Sequence, residues 1–227
     1  MIKKINVSGI QIDNYPVREQ IMLLDKEVAS PSLSIVEEVS MDLLLKAQQD
    51  DEIRKALELA TYTVITETGI LEAAGESVLH RKREIENRGF FHEMMRRLER
   101  HHKGIFLLGE NIGDVEQMEQ FLKEEYPRCE FVGMADMDAC IGTADAIVNE
   151  INAATADVMI SILPSPLQQY FLLENKDKIS ASLWYCVDCE KLITKQSRLV
   201  KWIRKHIHKK KLEEHIVNYE EKDENMK

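Results

Sequence analysis

Two stretches of the chain carry residues at spacings that chemistry uses. Gly109-Glu110-Asn111-Ile112-Gly113 closes the apolar run Ile105 to Leu108 and opens the polar, helix-like stretch DVEQMEQFLKEEYP. A buried strand that ends in glycine and passes at once into a helix presents backbone N–H groups to an anion, so a nucleotide phosphate is the first ligand expected. The same five residues also read as a simple tight turn, because the full G-x-G-x-x-G spacing is absent. The second stretch, Cys186-Val-Asp-Cys189, has the C-x-x-C spacing of zinc sites and thiol redox centres. A tetrahedral site needs two more ligands, for which Cys129, Cys140, His206 and His208 are the donors available, and no spacing recommends them. Ordinary free thiols are the expectation, with no metal and no cofactor. The pairs His101-His102 and His206-x-His208 lie in basic helical stretches and read as solvated.

Chemistry of either kind needs a scaffold, and the surrounding pattern supplies one. Val115, Met118, Phe121 and Leu122 fall at helical spacing, Asp114 is placed to cap that helix over 114–125, and Pro127 lies just beyond its end. Ile105–Leu108 and Phe131–Val132 read as short buried strands, Val158–Leu163 as a longer one, and Ala144–Ala153 as a crossover helix. The N-terminal half repeats the alternation. INVSGIQIDNYP reads as a strand or hairpin, PVREQIMLLDKEV as a helix opened by Pro16, and SLSIVEEVS as a strand. MDLLLKAQQDDEIRKALELA gives helices broken near Gln49 to Asp51, TYTVITETG a strand, and a helix from about Phe90 packs Phe91, Met94, Met95 and Leu98. The expected fold is α/β, a Rossmann-like parallel sheet flanked by helices, with its ligand at the carboxyl ends of the strands. Residues 1–190 form the body as two β-α-β units, about 1–100 and 101–190, and 191–227 a basic helical appendage and polar tail.

The 227 residues bury a sizeable core. Four cysteines and the absence of an apolar N-terminal run after Met1-Ile-Lys-Lys point to a reducing cytoplasm, and no stretch nears the roughly 20 apolar residues that span a bilayer. A soluble or peripheral protein is expected. Charge is unevenly distributed: nine Lys or Arg and no Asp or Glu lie between Lys191 and Lys211, so this window is +9 and the remainder −19 within a net −10. Leu199, Val200, Ile203 and Ile207 recur there at helical spacing beside Trp202, among Arg198, Lys201, Arg204, Lys205 and Lys209. A basic amphipathic helix is drawn to an anionic membrane surface by about 1 kcal/mol per basic residue. Docking of its apolar stripe on the acidic body is the competing reading. The acidic remainder argues against nucleic acid.

The order of segments resembles the WecG/TagA/CpsF glycosyltransferases of bacterial surface-polymer synthesis. The resemblance spans roughly residues 5–190 and rests on SGIQIDNYPVREQI, DLLLKAQQDDEIRKALELATYTVITETGI, FLLGENIGDVEQMEQFLKEEYPRCEFVG and NEINAATADVMISILPSPLQQYF. It implies transfer of an N-acetylmannosamine-type sugar from a UDP donor to an undecaprenyl-diphosphate-linked acceptor at the inner membrane face. A protein partner or a homo-oligomer is compatible with it.

Position by position, the resemblance implies an altered centre. The family's Thr and Asn, two apart, fall on Glu38 and Ser40, which places these on the acceptor side. Its catalytic Asp falls on Thr66, followed by Glu67 and then Gly69. An Arg and an Asp around a later Gly correspond to Glu86 and Phe91 around Gly89. The donor loop's double Gly becomes Gly109-Glu110, with Asn111 next, and Gly-x-Pro-x-Gln-Glu becomes Pro164-Ser165-Pro166-Leu167-Gln168-Gln169. A carboxylate that takes the acceptor's proton is worth about 10²–10⁴-fold, and threonine does not do this near neutral pH. Glu67 is the nearest replacement base, with Glu38 or Asp42 on the neighbouring strand end as others, and misplacement by about an ångström disables a base. Glu110 sets a negative charge against a donor phosphate, whereas Asn111, Ser165 and Gln168 offer hydrogen bonds to a nucleoside. Gln168 also reads as a helix cap. The expectation is a relative that is non-catalytic or strongly altered, the alternative being an active enzyme with a relocated carboxylate.

Overall fold

The computed structural model describes residues 4–30, 32–76, 78–139 and 144–188. The basic segment with Arg198, Lys201, Trp202, Arg204, Lys205 and Lys209, and the candidate ligands Cys140, Cys189, His206 and His208, lie outside the described residues.

The chain opens with a hairpin of β1 (Lys4–Val7) and β2 (Ile10–Asp13), turned at Ser8-Gly9 with both residues at positive φ, 51° and 85°. Glycine tolerates that backbone without strain, and such two-residue turns match the twist of the flanking strands. α1 (Val17–Val28) leads to β3 (Ser34–Val39), then α2 (Met41–Ala47) and α3 (Asp51–Leu59). β4 (Tyr62–Ile65) is followed by α4 (Thr68–Ala73), α5 (Leu79–Glu86) and α6 (Gly89–Arg100). The second half runs β5 (Gly104–Gly109), α7 (Ile112–Glu125), β6 (Glu130–Asp136), α8 (Asp145–Ala153), β7 (Val158–Ser161), α9 (Leu167–Asn175) and β8 (Leu183–Cys186).

Six strands form one parallel sheet in the order β4-β3-β8-β7-β5-β6. The expected α/β architecture is therefore present. β8, absent from the strands expected above, sits between β3 and β7 and joins the two halves of the sheet through backbone bonds. α7 also differs: it begins at Ile112, and Asn111 rather than Asp114 is its cap, accepting from the Asp114 amide at 3.0 Å.

Both faces of the sheet are covered, and the period-two alternation of each strand sorts its side chains between them. Ile105, Leu107, Val158 and Ile160 pack with Leu24 of α1, Phe91 and Met94 of α6, and Met118 and Leu122 of α7. Phe106, Leu108, Met159 and Trp184 face the opposite way onto Ala56 of α3, Ile147 and Ile151 of α8, and Phe171 and Leu172 of α9. The hairpin closes the β4 edge: the Asp13 amide donates to Thr63 Oγ1 at 2.7 Å, and the Thr63 amide donates to the Asp13 carboxylate at 2.9 Å. An edge strand so covered offers no template for pairing with another chain. No helix of the described residues is long and apolar enough to cross a membrane.

Candidate functional site

Because the strands are parallel, their carboxyl ends share one edge of the sheet. Ser40 follows β3 there, Thr66 and Glu67 follow β4, Glu110 and Asn111 follow β5, Pro164 to Gln169 follow β7, and Val187-Asp188 follow β8. These segments thus reach the edge where open α/β sheets hold their ligands, whereas Cys129 precedes β6 at the opposite edge and Glu86 ends α5.

β3 brings two adjacent acids to that edge inside an otherwise apolar strand. Alternation sends Glu37 to the α9 face and Glu38 to the α6 face. Glu38, whose side chain is only 2% exposed, accepts from Arg88 Nη2 at 2.6 and 2.8 Å and from the Asp188 amide at 2.9 Å, and it also accepts from the Tyr185 hydroxyl. Arg88 caps α6 with a left-handed backbone, φ 48°, and its guanidinium lies 5.1 Å from the centre of the Phe91 ring. Burial acts to lower the Arg88 pKa, but the charge and hydrogen bonding of Glu38, with Tyr185 and Asp188 adding to them, together outweigh it and the pKa rises. Burial, and then the charge of Glu38, raises the Tyr185 pKa well above its ordinary value. The cluster is therefore an anchored ion pair with a neutral phenol donating to it.

Beside this cluster the base-position residue is also engaged. Both the amide and the hydroxyl of Thr66 donate to the Val39 carbonyl at 3.0 Å. Glu67 occupies the position before α4, and one of its carboxylate oxygens accepts from the Met41 amide at 3.4 Å. Ser40 caps α2 through the Leu43 amide at 3.2 Å, and Asp42 pairs with Lys46 at 2.8 Å. Glu86 ends α5 on the surface, while Phe91 is buried in the core. Glu38, Thr66, Arg88 and Phe91 line one shallow cleft that opens to solvent, together with Gln20, Arg81 and Glu84.

The residues read as donor-binding are engaged in the scaffold. Asn111 caps α7 through the Asp114 amide, and its Nδ2 donates to Asp114 Oδ2 at 2.7 Å. Pro166 opens α9, and Gln168 is no cap: it lies buried and accepts from Ser161 Oγ at 2.9 Å, while the buried Gln169 donates to Glu37 at 2.7 Å. The Ser165 carbonyl accepts from Lys46 Nζ at 3.1 Å, and its hydroxyl is buried without a partner among the described residues. Glu110 is half-buried, its carbonyl accepting from the Asp138 amide at 2.9 Å. Cys186 lies inside the sheet, where burial and the charge of Glu37 hold its thiol well above the usual range. A low thiol pKa is what makes cysteine reactive.

Gly109 meets a packing demand. A Cβ there would stand 2.5 Å from Val115 Cγ2 and 3.3 Å from Ile162 Cγ1, so only glycine lets α7 close on the sheet. Gly109→Ala is expected to cost about 1–3 kcal/mol, the usual range for overpacking. Thermal unfolding is the measurement, with partial recovery in the Gly109→Ala/Val115→Ala double variant; an unchanged midpoint in the single variant contradicts the packing account.

Arg88, Tyr185, Glu37 and Gln20 were not among the candidates read from the sequence. The available signal was Glu37-Glu38 itself, two acids in a strand whose other residues are apolar or small. Among curated proteins none matches the chain. The model of the glycosyl transferase WecG/TagA/CpsF family matches residues 5–213, most of the body and all of the basic segment 191–211. With its parallel sheet and with those segments gathered at one edge, the chain belongs to the WecG/TagA/CpsF family, the glycosyltransferases of bacterial surface-polymer synthesis.

Proposed function

We propose that this chain is a non-catalytic or strongly altered member of the family, one that keeps the fold at the carboxyl edge of the sheet for binding rather than for sugar transfer. The observation that carries the reading is Thr66. It stands where the resemblance sets the catalytic aspartate, and its hydroxyl is committed to the Val39 carbonyl at 3.0 Å. A hydroxyl is no proton acceptor near neutral pH. Glu38 shares the cleft, but its carboxylate is taken up by Arg88, Tyr185 and the Asp188 amide. On the donor side, Asn111 is spent on its cap and Gln168 on Ser161, which supports weakened or altered nucleotide binding. The binding role belongs to the surface-polymer pathway, with a UDP-sugar, a lipid-linked acceptor or a protein partner as ligand. The basic segment 191–211 would hold the chain peripherally at the inner membrane face through anionic lipid.

The test is UDP release from a panel of UDP-N-acetylhexosamines with an undecaprenyl-diphosphate-linked acceptor, together with calorimetric titration of UDP. No acceptor-dependent release is expected. Acceptor-dependent turnover overturns the reading. A second reading rests on Glu67, whose carboxylate sits one residue beyond Thr66 at the same strand end and reaches the Met41 amide at 3.4 Å. If turnover appears and Glu67→Gln abolishes it without loss of stability, Glu67 is the relocated base.

A further inference from the structure

Glu37 and Gln169 share one hydrogen bond at the carboxyl edge of the sheet, and each keeps an acceptor that nothing fills. Glu37, near the end of β3, and Gln169, in the first turn of α9, are each only 1% exposed. Gln169 Nε2 donates to Glu37 Oε1 at 2.7 Å, while Glu37 Oε2 and Gln169 Oε1 are buried with no hydrogen-bond partner among the described residues. Both unfilled atoms are oxygens, and what such a pair of groups lacks is a proton.

The donors around them are committed elsewhere. Trp184 Nε1 donates to Ser161 Oγ at 2.9 Å, and Ser161 Oγ donates to Gln168 Oε1 at 2.9 Å. The titratable groups that bear on Glu37 are the Cys186 thiol, its register partner on β8, and Glu38 beside it on β3; α9 presents Gln168 and Gln169, which carry no charge. On β4 its register partner Thr63 holds the Asp13 carboxylate, and Lys46 of α2 is engaged by the Ser165 carbonyl and by Asp42. An ionised Glu37 would therefore be a buried anion among acids and neutral groups, an environment that favours the protonated form.

We propose that below neutral pH Glu37 is the neutral acid and that its Oε2–H donates to Gln169 Oε1, closing a two-bond acid–amide ring that ties β3 to α9. A single proton then fills both oxygens, Oε2 as donor and Oε1 as acceptor. The ring latches the first turn of α9 and with it the loop Pro164–Pro166 that follows β7 at the ligand edge. Loss of the proton sets an anionic oxygen against the Gln169 carbonyl, and that turn shifts to separate them. Since burial raises the carboxyl to about 7, the latch opens as pH rises through neutrality. The device does not involve Thr66, so it stands whether or not the chain transfers sugar.

Three measurements on the full chain test it. Infrared spectra should show the carbonyl stretch of a protonated carboxyl at about pH 5 that fades by about pH 9 and is missing in Glu37→Gln; no such band overturns the proposal. A crystal structure at the lower pH should place Glu37 Oε2 at an O–H···O distance of roughly 2.5–3.0 Å from Gln169 Oε1, and a wider gap, or a water between them, overturns the ring. Backbone amide resonances of Gln168 to Tyr170 in the ¹⁵N-labelled protein should move with pH in the wild type and stay fixed in Glu37→Gln, whose amide reproduces both bonds at every pH. Resonances that stay fixed in the wild type, or move equally in both proteins, overturn the latch.

Discussion

Replacing Arg88 with methionine while Glu38 stays in place is expected to cost about 3–5 kcal/mol of folding stability, the usual penalty for stranding one partner of a buried ion pair. Arg88 supplies both of the guanidinium contacts to Glu38, at 2.6 and 2.8 Å, and the carboxylate lies in a side chain only 2% exposed. Without the arginine, Tyr185 and the Asp188 amide would be left to solvate a full negative charge between β3 and α6. The double variant Glu38→Gln/Arg88→Met should lose clearly less than Arg88→Met alone. A glutamine keeps an acceptor oxygen for Tyr185 or Asp188 and buries no charge. Urea unfolding of the two variants and the wild type at pH 7 measures both differences. A loss below about 1 kcal/mol in Arg88→Met would mean that the pair behaves as a surface contact and that the cluster does not anchor the end of β3.

This cluster also marks the limit of what the amino-acid order conveys. Local patterns carried the elements well: the apolar spacing of Val115, Met118 and Leu122 places α7, and the polar break after Gln48 separates α2 from α3. These signals are short in range, as caps and periodicities are. Even there one detail escaped, because Asn111 and Asp114 each suit a cap and only the geometry shows that Asn111 is the cap and Asp114 its side-chain partner. The site's acids find their partners far along the chain. Arg88 is 50 residues from Glu38, Tyr185 is 147 away, and Gln169 is 132 from Glu37. No periodicity reports such a pairing. β8 was missed for a related reason. Its four residues Leu183–Cys186 run into a C-x-x-C spacing that draws attention to thiol chemistry, whereas their place in the sheet is fixed by pairing with β3 and β7 and their burial by helices on both faces.

The second acid of β3 leads to a pH-dependent outcome of opposite sign to the familiar stabilising carboxylate. Glu37 is buried against α9, and burial raises its pKa from 4.5 to about 7, outweighing hydrogen bonds from Cys186, Gln169 and Gln168, with the charge of Glu38 adding to the rise. The folded protein therefore holds this proton across a range in which the unfolded chain has released it. Between about pH 4.5 and 7 the unfolded state binds fewer protons at this site, so stability falls as pH rises. The contribution is fully present below the unfolded value and is lost as pH passes through the folded one. At 1.36 kcal/mol per pKa unit the loss is about 3 kcal/mol. Glu37→Gln removes the titration while its amide oxygen still accepts from Gln169, a bond of 2.7 Å in the wild type. Relative to the wild type, the variant should gain about 3 kcal/mol on going from pH 4.5 to pH 8. Urea unfolding of both proteins across that range isolates the difference, because every other titrating group is common to the two chains. Parallel stability curves would show that Glu37 titrates as it does in the unfolded chain. A difference growing in the predicted direction would establish that Glu37 is poised near half protonation at neutral pH, one residue before the carboxylate that Arg88 pairs.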